Sequence, residues 1–142
     1  MKSGTDCVEQ AQKLNKDVET VLQKEDGNDR SEVLQILGAN PSAKNGDILF
    51  YIADTIAITV QYANRTGLCK MLDDFQKKNL NDQLKILVEH AKEASVKMED
   101  YDRMQMLKNL SAAEDNQMRQ WNYQFCNEFG WFQVPSPVAE SH

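Results

Sequence analysis

The segment from Asp47 to Ala63, DILFYIADTIAITVQYA, decides the fold. Most of its residues are apolar, and Asp47 and Asp54 are its only charged residues. A helix on a protein surface carries an apolar stripe rather than apolar residues on every side, so this pattern favours a helix buried at the centre of a domain. A bilayer span needs about 20 apolar residues, so this shorter segment with its carboxylate is not predicted to cross a membrane.

A buried strand is the alternative interpretation of this segment, because it is rich in β-branched isoleucine. Its length favours a helix, since strands usually stop at about 10 residues. We therefore expect a helix over residues 47–63, with the Asp47 carboxylate as N-cap at its positive end. Asp54 would be costly to bury alone, so we expect a structural carboxylate that binds a neighbouring helix end or an arginine.

The composition is that of one folded, acidic domain. The 142 residues are 41% hydrophobic, which is enough for a core, and the net charge is −6. Nucleic acids and anionic membrane surfaces both attract clustered basic residues, so neither is expected as a partner. No apolar run follows Met1 to Asp6, and the sequence therefore predicts no targeting signal in this chain.

Amphipathic spacing and capping residues predict further helices on both sides of residues 47–63. The expected helices are one over 6–24 capped by Thr5 or Asp6, a short one from Ser31 to Gly38, one capped by Thr66, one from Asn79 to Met98 or Glu99, and one from Ser111 toward Cys126. The fold predicted from these signals is all-α, a bundle of about five helices around the buried helix.

The C-terminal part has a different character. Residues 120–133 hold six aromatic side chains, and these follow no single helical face. A small helical domain cannot easily bury them all, and exposed rings usually indicate a partner surface. The last residues, from Val134 to His142, contain two prolines and should be extended.

The sequence offers little catalytic chemistry. No serine lies in the Gly-x-Ser-x-Gly spacing of a nucleophile elbow, and no glycine-rich phosphate loop is present. His90 lies beside charged residues and is expected to be a solvated helix histidine, while His142 is terminal. Two distant histidines and three scattered cysteines have no zinc-site spacing, so we expect neither a metal nor a cofactor.

Three cysteines and two glycosylation sequons, at Asn64 and Asn109, favour a secretory history. An odd cysteine count leaves one thiol without a partner inside the chain. Together with the missing signal, it suggests a piece of a longer protein.

Three segments resemble one known family. Trp121-x-Tyr123-Gln124-x-Cys126-x-Glu128-Phe129-Gly130 is similar to a signature of the lysosomal Pro-Xaa carboxypeptidases (prolylcarboxypeptidase, dipeptidyl peptidase II and thymus-specific serine protease). Two further segments match, and they occur in the same order as in that family. Residues 2–7 are similar to the start of its helical insertion. Residues 53–64, followed by Leu68-Cys69, are similar to its central helix.

The resemblance implies a helical cap inserted into an α/β-hydrolase core that carries the Ser, Asp and His of a proline-specific exopeptidase. Residues 1–118 would be the cap, and residues 119–142 a segment that returns toward the missing core. The chain would cover the entrance of the active site and would be inactive alone. Its partners would be that core and peptides with proline near a terminus, with a homodimer possible for the parent, which would be lysosomal or secreted.

The resemblance also implies roles for single residues. Cys7 would form a disulfide with Cys69, and Cys126 would pair with a cysteine in the core. One wall of the substrate pocket would be formed by Trp121, Tyr123, Gln124, Glu128 and Trp131. Two alternatives remain open: a secreted helical module that binds a small apolar ligand, and a structural domain that grips a partner through its aromatic segment.

Overall fold

The computed structural model describes residues 5–24, 27–62, 64–108, 117–124 and 127–128. Its helices are α1 (Thr5–Leu22), α2 (Gly27–Leu37), α3 (Asn45–Tyr62), α4 (Arg65–Phe75), α5 (Leu80–Glu93), a 3-10 helix (Met98–Tyr101), α6 (Arg103–Lys108) and α7 (Gln117–Gln124). No strand occurs among these residues. The predicted all-α bundle is confirmed, with α1 to α5 as its main helices.

Helix α1 contacts more of the bundle than its amphipathic sequence suggested. It packs against α2, α3, α4 and α5. Leu14, Val18 and Leu22 recur every four residues along it and are 1%, 0% and 4% exposed. Burying each such side chain contributes about 1.5–3 kcal/mol, so this stripe stabilises the folded unit by several kcal/mol.

Helix α3 is buried on one face only. Its buried side chains recur at helical spacing and are Asp47, Ile48, Tyr51, Ile52, Thr55 and Thr59. On other faces Phe50 is 50% exposed, Val60 46% and Tyr62 81%. The expectation that other elements surround this helix on all sides is therefore wrong. The helix packs against α1, α4 and the 3-10 helix, and these leave part of its apolar surface open.

A disulfide joins Cys7 of α1 to Cys69 of α4 across a sequence separation of 62 residues. The resemblance implied this pair. Because α1 also packs directly against α4, the bond links two helices that already share a part of the core.

Several predicted helix starts need correction. Helix α3 begins at Asn45, so Asp47 lies inside its first turn and is not the N-cap. Helix α4 is capped by Asn64 rather than Thr66, and α2 begins at Gly27 before Ser31. The N-cap at Asn79 is as predicted, because its side-chain oxygen accepts a hydrogen bond from the backbone N–H of Asp82 at 2.9 Å.

The two C-terminal helix ends at Gly38 and Ser95 both use left-handed backbone. Gly38 follows α2 with φ 68°, as its predicted role requires, and Ser95 has φ 58°. Ser95 ends α5 well before Met98, because the Val96 N–H then bonds back to the Ala91 carbonyl at 2.8 Å. A serine in this conformation costs about 1 kcal/mol. Glycine is the usual residue at such a helix end, so the serine did not indicate one.

The chain separates into two compact units, Met1–Lys108 and Asn109–His142. Helices α1 to α6 belong to the first unit, and α7 belongs to the second. The functional division into a cap over 1–118 and a return segment over 119–142 stays a prediction. None of the described helices is both long enough and apolar enough to cross a membrane.

We expect the double substitution Cys7→Ala/Cys69→Ala to lower the free energy of unfolding by about 2–4 kcal/mol. The reason is that the disulfide closes a long loop, which restricts the unfolded chain. Urea unfolding at fixed pH measures the change. As a control, a reductant should destabilise the wild-type chain by a similar amount and leave the double variant unaffected; equal stability of the oxidised wild type and the variant would contradict the prediction.

Candidate functional site

A buried carboxylate of α3 binds the segment that follows α5. The side chain of Asp47 is only 6% exposed, and its Oδ1 lies 2.6 Å from both Nε and Nη2 of Arg103. The backbone N–H of Arg103 also donates to Oδ2 of Asp47 at 3.3 Å. The hydrogen bond and the charge of Asp47 raise the pKa of the Arg103 guanidinium above its ordinary value. Arg103 thus supplies the partner that a buried carboxylate needs.

Two turns further along α3, Asp54 makes a second contact with the same segment. The hydroxyl of Tyr101 donates to Oδ2 of Asp54 at 2.6 Å. Asp54 is therefore a structural carboxylate bonded to a neighbouring helix end, with a tyrosine as its partner rather than an arginine. The Tyr101 ring packs edge-on against the rings of Phe50 and Tyr51, at centroid distances of 5.4 and 5.5 Å.

Burial raises the pKa of Tyr101, and the hydrogen bond to the Asp54 carboxylate raises it further. Burial also raises the pKa of Tyr51 beside it. Both phenols are therefore neutral at ordinary pH, and Tyr101 acts as a hydrogen-bond donor rather than as a base.

We call Asp47, Asp54, Tyr101 and Arg103 the polar clamp. The two carboxylates are seven residues apart, which places them on one face of α3. Asp102, which is 3% exposed, lies between the two partners and caps α6, since its Oδ1 accepts from the N–H groups of Met104 and Gln105. The sequence analysis missed this arrangement, although Asp102 three residues before Gln105 has the spacing of a capping box.

His90 is bonded to a buried threonine. Its Nε2 lies 2.8 Å from Oγ1 of Thr59, which is 0% exposed. The Thr59 hydroxyl donates its one hydrogen to the Thr55 carbonyl, also at 2.8 Å. The Thr59 oxygen must therefore accept a hydrogen bond from Nε2–H of His90. His90 is thus a partly buried helix histidine rather than a fully solvated one, and its side chain links α5 to α3.

The Thr59–His90 pair has the composition of a nucleophile and its base but not the arrangement. Activation requires the hydroxyl hydrogen to point at the imidazole, whereas Thr59 directs it to a backbone carbonyl. The hydroxyl is also closed to solvent and therefore to a substrate. We assign the pair a structural role.

A surface cleft of about 290 Å³ lies between α1 and the connection from α4 to α5. Its lining consists of Gln10, Lys13, Leu14, Phe75, Gln76, Lys78 and Gln83. Most of these side chains are polar, so the cleft does not favour the small apolar ligand considered from the sequence. Gln83 is buried there because its amide donates to the carbonyls of Phe75 and Lys78, at 2.9 Å each.

Helix α7 carries part of the predicted pocket wall. Trp121 is 45% exposed and Tyr123 64%, and Gln124 and Glu128 are exposed as well. Trp131, the sequon residue Asn109 and Cys126, which is expected to have no partner within this chain, lie outside the described residues. The assignment of this wall to a substrate pocket stays a prediction.

Within the described part of the chain, no group of three His, Cys, Asp or Glu side chains is placed to hold a metal ion. The charged and polar side chains gathered at the polar clamp bind one another and leave no open coordination geometry. The described residues thus define a helical scaffold stabilised by a disulfide, without an assembled hydrolytic site.

Comparison with known proteins identifies this scaffold. Residues 1–140 match the family described as Serine carboxypeptidase S28, and the chain belongs to that family. The chain is similar to "Probable serine protease EDA2" of Arabidopsis thaliana, with 28% identity over 137 residues. The similarity covers 93% of this chain and 27% of that protein, so the chain spans about a quarter of the relative's length. No solved structure matches the chain.

We expect Arg103→Ala to lower the free energy of unfolding by about 1–3 kcal/mol, because it leaves the buried Asp47 carboxylate without its charged partner. The lower end of this range allows for solvent screening at Arg103, which is 58% exposed. Lys77→Ala is the matched control, since its ion pair with Asp74 is exposed on both sides and should matter little. An equally small effect of both substitutions in denaturant unfolding would disprove the role given to Arg103.

The polar clamp also predicts a loss of stability in alkali. Because the folded-state pKa of each tyrosine is raised, each tyrosine stabilises the folded state fully below the ordinary pKa of 10.0. This stabilisation is lost as the pH rises from that value toward the folded-state pKa. The free energy of unfolding should therefore fall above pH 10, by at most about 1.4 kcal/mol per pH unit for each tyrosine, with Tyr101 contributing most. Tyr101→Phe should therefore make that slope clearly smaller.

This slope is measured by urea unfolding between pH 8 and 11, with Cys126 blocked beforehand to prevent disulfide exchange. Phe50→Leu is the control, because it removes a ring contact of Tyr101 but no titrating group. An unchanged slope in Tyr101→Phe would show that this phenol does not titrate with unfolding.

Proposed function

We propose that this chain is the helical cap of a proline-specific serine exopeptidase, covering the entrance to an active site carried by the rest of a longer polypeptide. The observation that carries the proposal is the family match over residues 1–140 on a chain whose described secondary structure consists of helices. The limited share of the Arabidopsis relative that the chain covers is consistent with a part of a larger enzyme.

The side-chain chemistry supports an inactive cap. Hydrolysis by a serine peptidase needs an accessible hydroxyl activated by a histidine that a carboxylate orients. Among the described residues, His90 bonds only the enclosed Thr59, and the two α3 carboxylates bind Arg103 and Tyr101. We therefore place the nucleophile and its base outside these residues.

A helical cap suits the cleavage of peptide ends. A lid over a Ser-His-Asp site narrows the entrance, so a flexible chain end enters and a folded protein does not. Such a lid must keep its shape, and the disulfide and the polar clamp both stabilise the first unit in this way. Peptides with proline near a terminus are the substrates we propose for the parent enzyme.

Exposed apolar side chains support contact with the rest of the enzyme. Phe50 on α3 and the two aromatic side chains Trp121 and Tyr123 on α7 are each at least 45% exposed. Exposed aromatic side chains, considered in each unit separately, are typical of a surface that another protein surface covers. We assign Trp121, Tyr123, Gln124, Glu128 and Trp131 to the wall of the peptide pocket, and Cys126 to a disulfide with the core.

The disulfide supports a lysosomal or secreted parent, since such bonds persist in oxidising compartments. Passage through the secretory pathway and glycosylation of the sequons belong to the same proposal. A homodimer of the parent is consistent with it.

A fluorophosphonate serine probe tests whether the chain is inactive alone. We expect no covalent label on the purified 142-residue chain, because no activated serine is proposed for it, while a complete serine hydrolase labelled in parallel shows that the probe works. Covalent labelling that survives denaturation, and that is lost when the chain is unfolded before the probe is added, would overturn the proposal.

Thiol counting separates a cap from an independent module. After alkylation without reductant and digestion, we expect one alkylated cysteine, Cys126, with Cys7 and Cys69 recovered as one linked peptide. A Cys126 disulfide within a monomer would favour the stand-alone module instead.

A further inference from the structure

The connection between α3 and α4 presents the sequon Asn64-Arg65-Thr66 to solvent. All three residues are exposed, and they lie between the last residue of α3, Tyr62, and the second turn of α4. The disulfide residue Cys69 follows in the same helix, so this segment belongs to a chain that folds where thiols are oxidised.

The side chain of Asn64 uses only one of its two polar atoms in the fold. Its Oδ1 accepts a hydrogen bond from the backbone N–H of Gly67 at 2.8 Å and so caps α4. No described residue bonds its Nδ2. An N-linked sugar is attached to Nδ2 and leaves the amide oxygen in place, so the cap and the modification are compatible.

Gly67 provides the room for this arrangement. A Cβ at this position would lie 2.7 Å from Nδ2 of Asn64, closer than real contacts allow. The absence of a side chain lets the asparagine amide lie directly against the first turn of α4. A bulkier residue would displace the amide and its attached group.

Tyr62 lies two residues before the sequon asparagine and is 81% exposed. Such exposure leaves almost the whole ring without a protein partner. The face of an aromatic ring is electron-rich and attracts the partly positive C–H groups of a sugar ring. An exposed aromatic ring thus lies two residues before the asparagine that would carry the sugar.

We propose that Asn64 is N-glycosylated and that its first N-acetylglucosamine packs on the ring of Tyr62. The donor is a lipid-linked oligosaccharide diphosphate. The bond between sugar C1 and the diphosphate oxygen breaks, Nδ2 forms a bond to C1, and the proton lost from Nδ2 leaves with the lipid diphosphate. The inference rests on the secretory passage in the proposed function but not on peptidase activity.

If the α3–α4 corner carries a branched sugar, that corner faces solvent in the parent enzyme. The exposed side chains near the polar clamp, such as Phe50 at the opposite end of α3, then remain for contact with the rest of the polypeptide. The proposal thus orients the cap: one end of α3 faces outward and the other inward.

The chain is expressed in cultured eukaryotic cells behind a cleavable secretion signal, in an Asn109→Gln background that leaves one sequon. We expect a single glycan that peptide-N-glycosidase removes, with a one-dalton increase in the peptide carrying residue 64, and loss of the glycan in Asn64→Gln and in Thr66→Ala. The glycan is measured on both the secreted and the retained chain, so poor secretion does not hide it. An Asn109→Gln chain without sugar in both pools would overturn the proposal.

The contact with Tyr62 has its own measurement. The glycosylated chain is compared with the same chain folded oxidatively from bacteria, which carries no sugar. Tyr62→Ser should lower the melting temperature of the glycosylated chain by about 2–4 °C more than that of the bare chain. Tyr123→Ser is the control, because this tyrosine is also exposed but lies far from the sequon in sequence; an equal effect of Tyr62→Ser on both forms would exclude the packing. Peptidase activity is read in neither experiment, so failure of the peptidase proposal would leave both results interpretable.

Discussion

Burial of the apolar stripe of α1 is the constraint on which the first unit depends. Leu14, Val18 and Leu22 lie at the meeting point of four other helices, and each is almost completely removed from water. The disulfide at the start of this helix fixes its relation to α4. Because the stripe contacts the helices before and after α3 as well as α3 itself, its loss would affect the whole unit rather than one contact.

The polar clamp joins α3 to the segment that follows α5. Apolar packing alone would leave the segment after α5 weakly held, since that segment consists of a four-residue 3-10 helix and the six-residue α6. Helices of this length are not stable on their own in water. Two carboxylates of α3, the Tyr101 ring and the Arg103 guanidinium replace the missing apolar area with directional bonds. The segment is thereby positioned against α3, and Phe50 remains half exposed beside it.

The sequence predicted the bundle because its strongest signals are local. The spacing of apolar residues in α1, the Asn79 cap and the left-handed Gly38 each follow from interactions within a few residues. The faces of α3 could not be distinguished, since apolar side chains occur on all of them and only tertiary packing decides which are covered. The end of α5 was missed because a serine in left-handed backbone has no compositional signal.

The site was less accessible to sequence analysis than the fold. Asp54 was correctly expected to need a partner, but Tyr101 lies 47 residues away and no spacing rule connects them. The same limit applies to Thr59 and His90, which are 31 residues apart. The disulfide pairing came from the family resemblance rather than from the spacing of the cysteines.

The hydrogen bond between His90 and Thr59 has a consequence for the placement of α5. Thr59 donates its only hydroxyl hydrogen to the Thr55 carbonyl, so the His90 imidazole donates the second hydrogen bond, from Nε2. Loss of either side chain would leave a buried polar atom without its partner, so this pair restricts how far α5 can slide along α3.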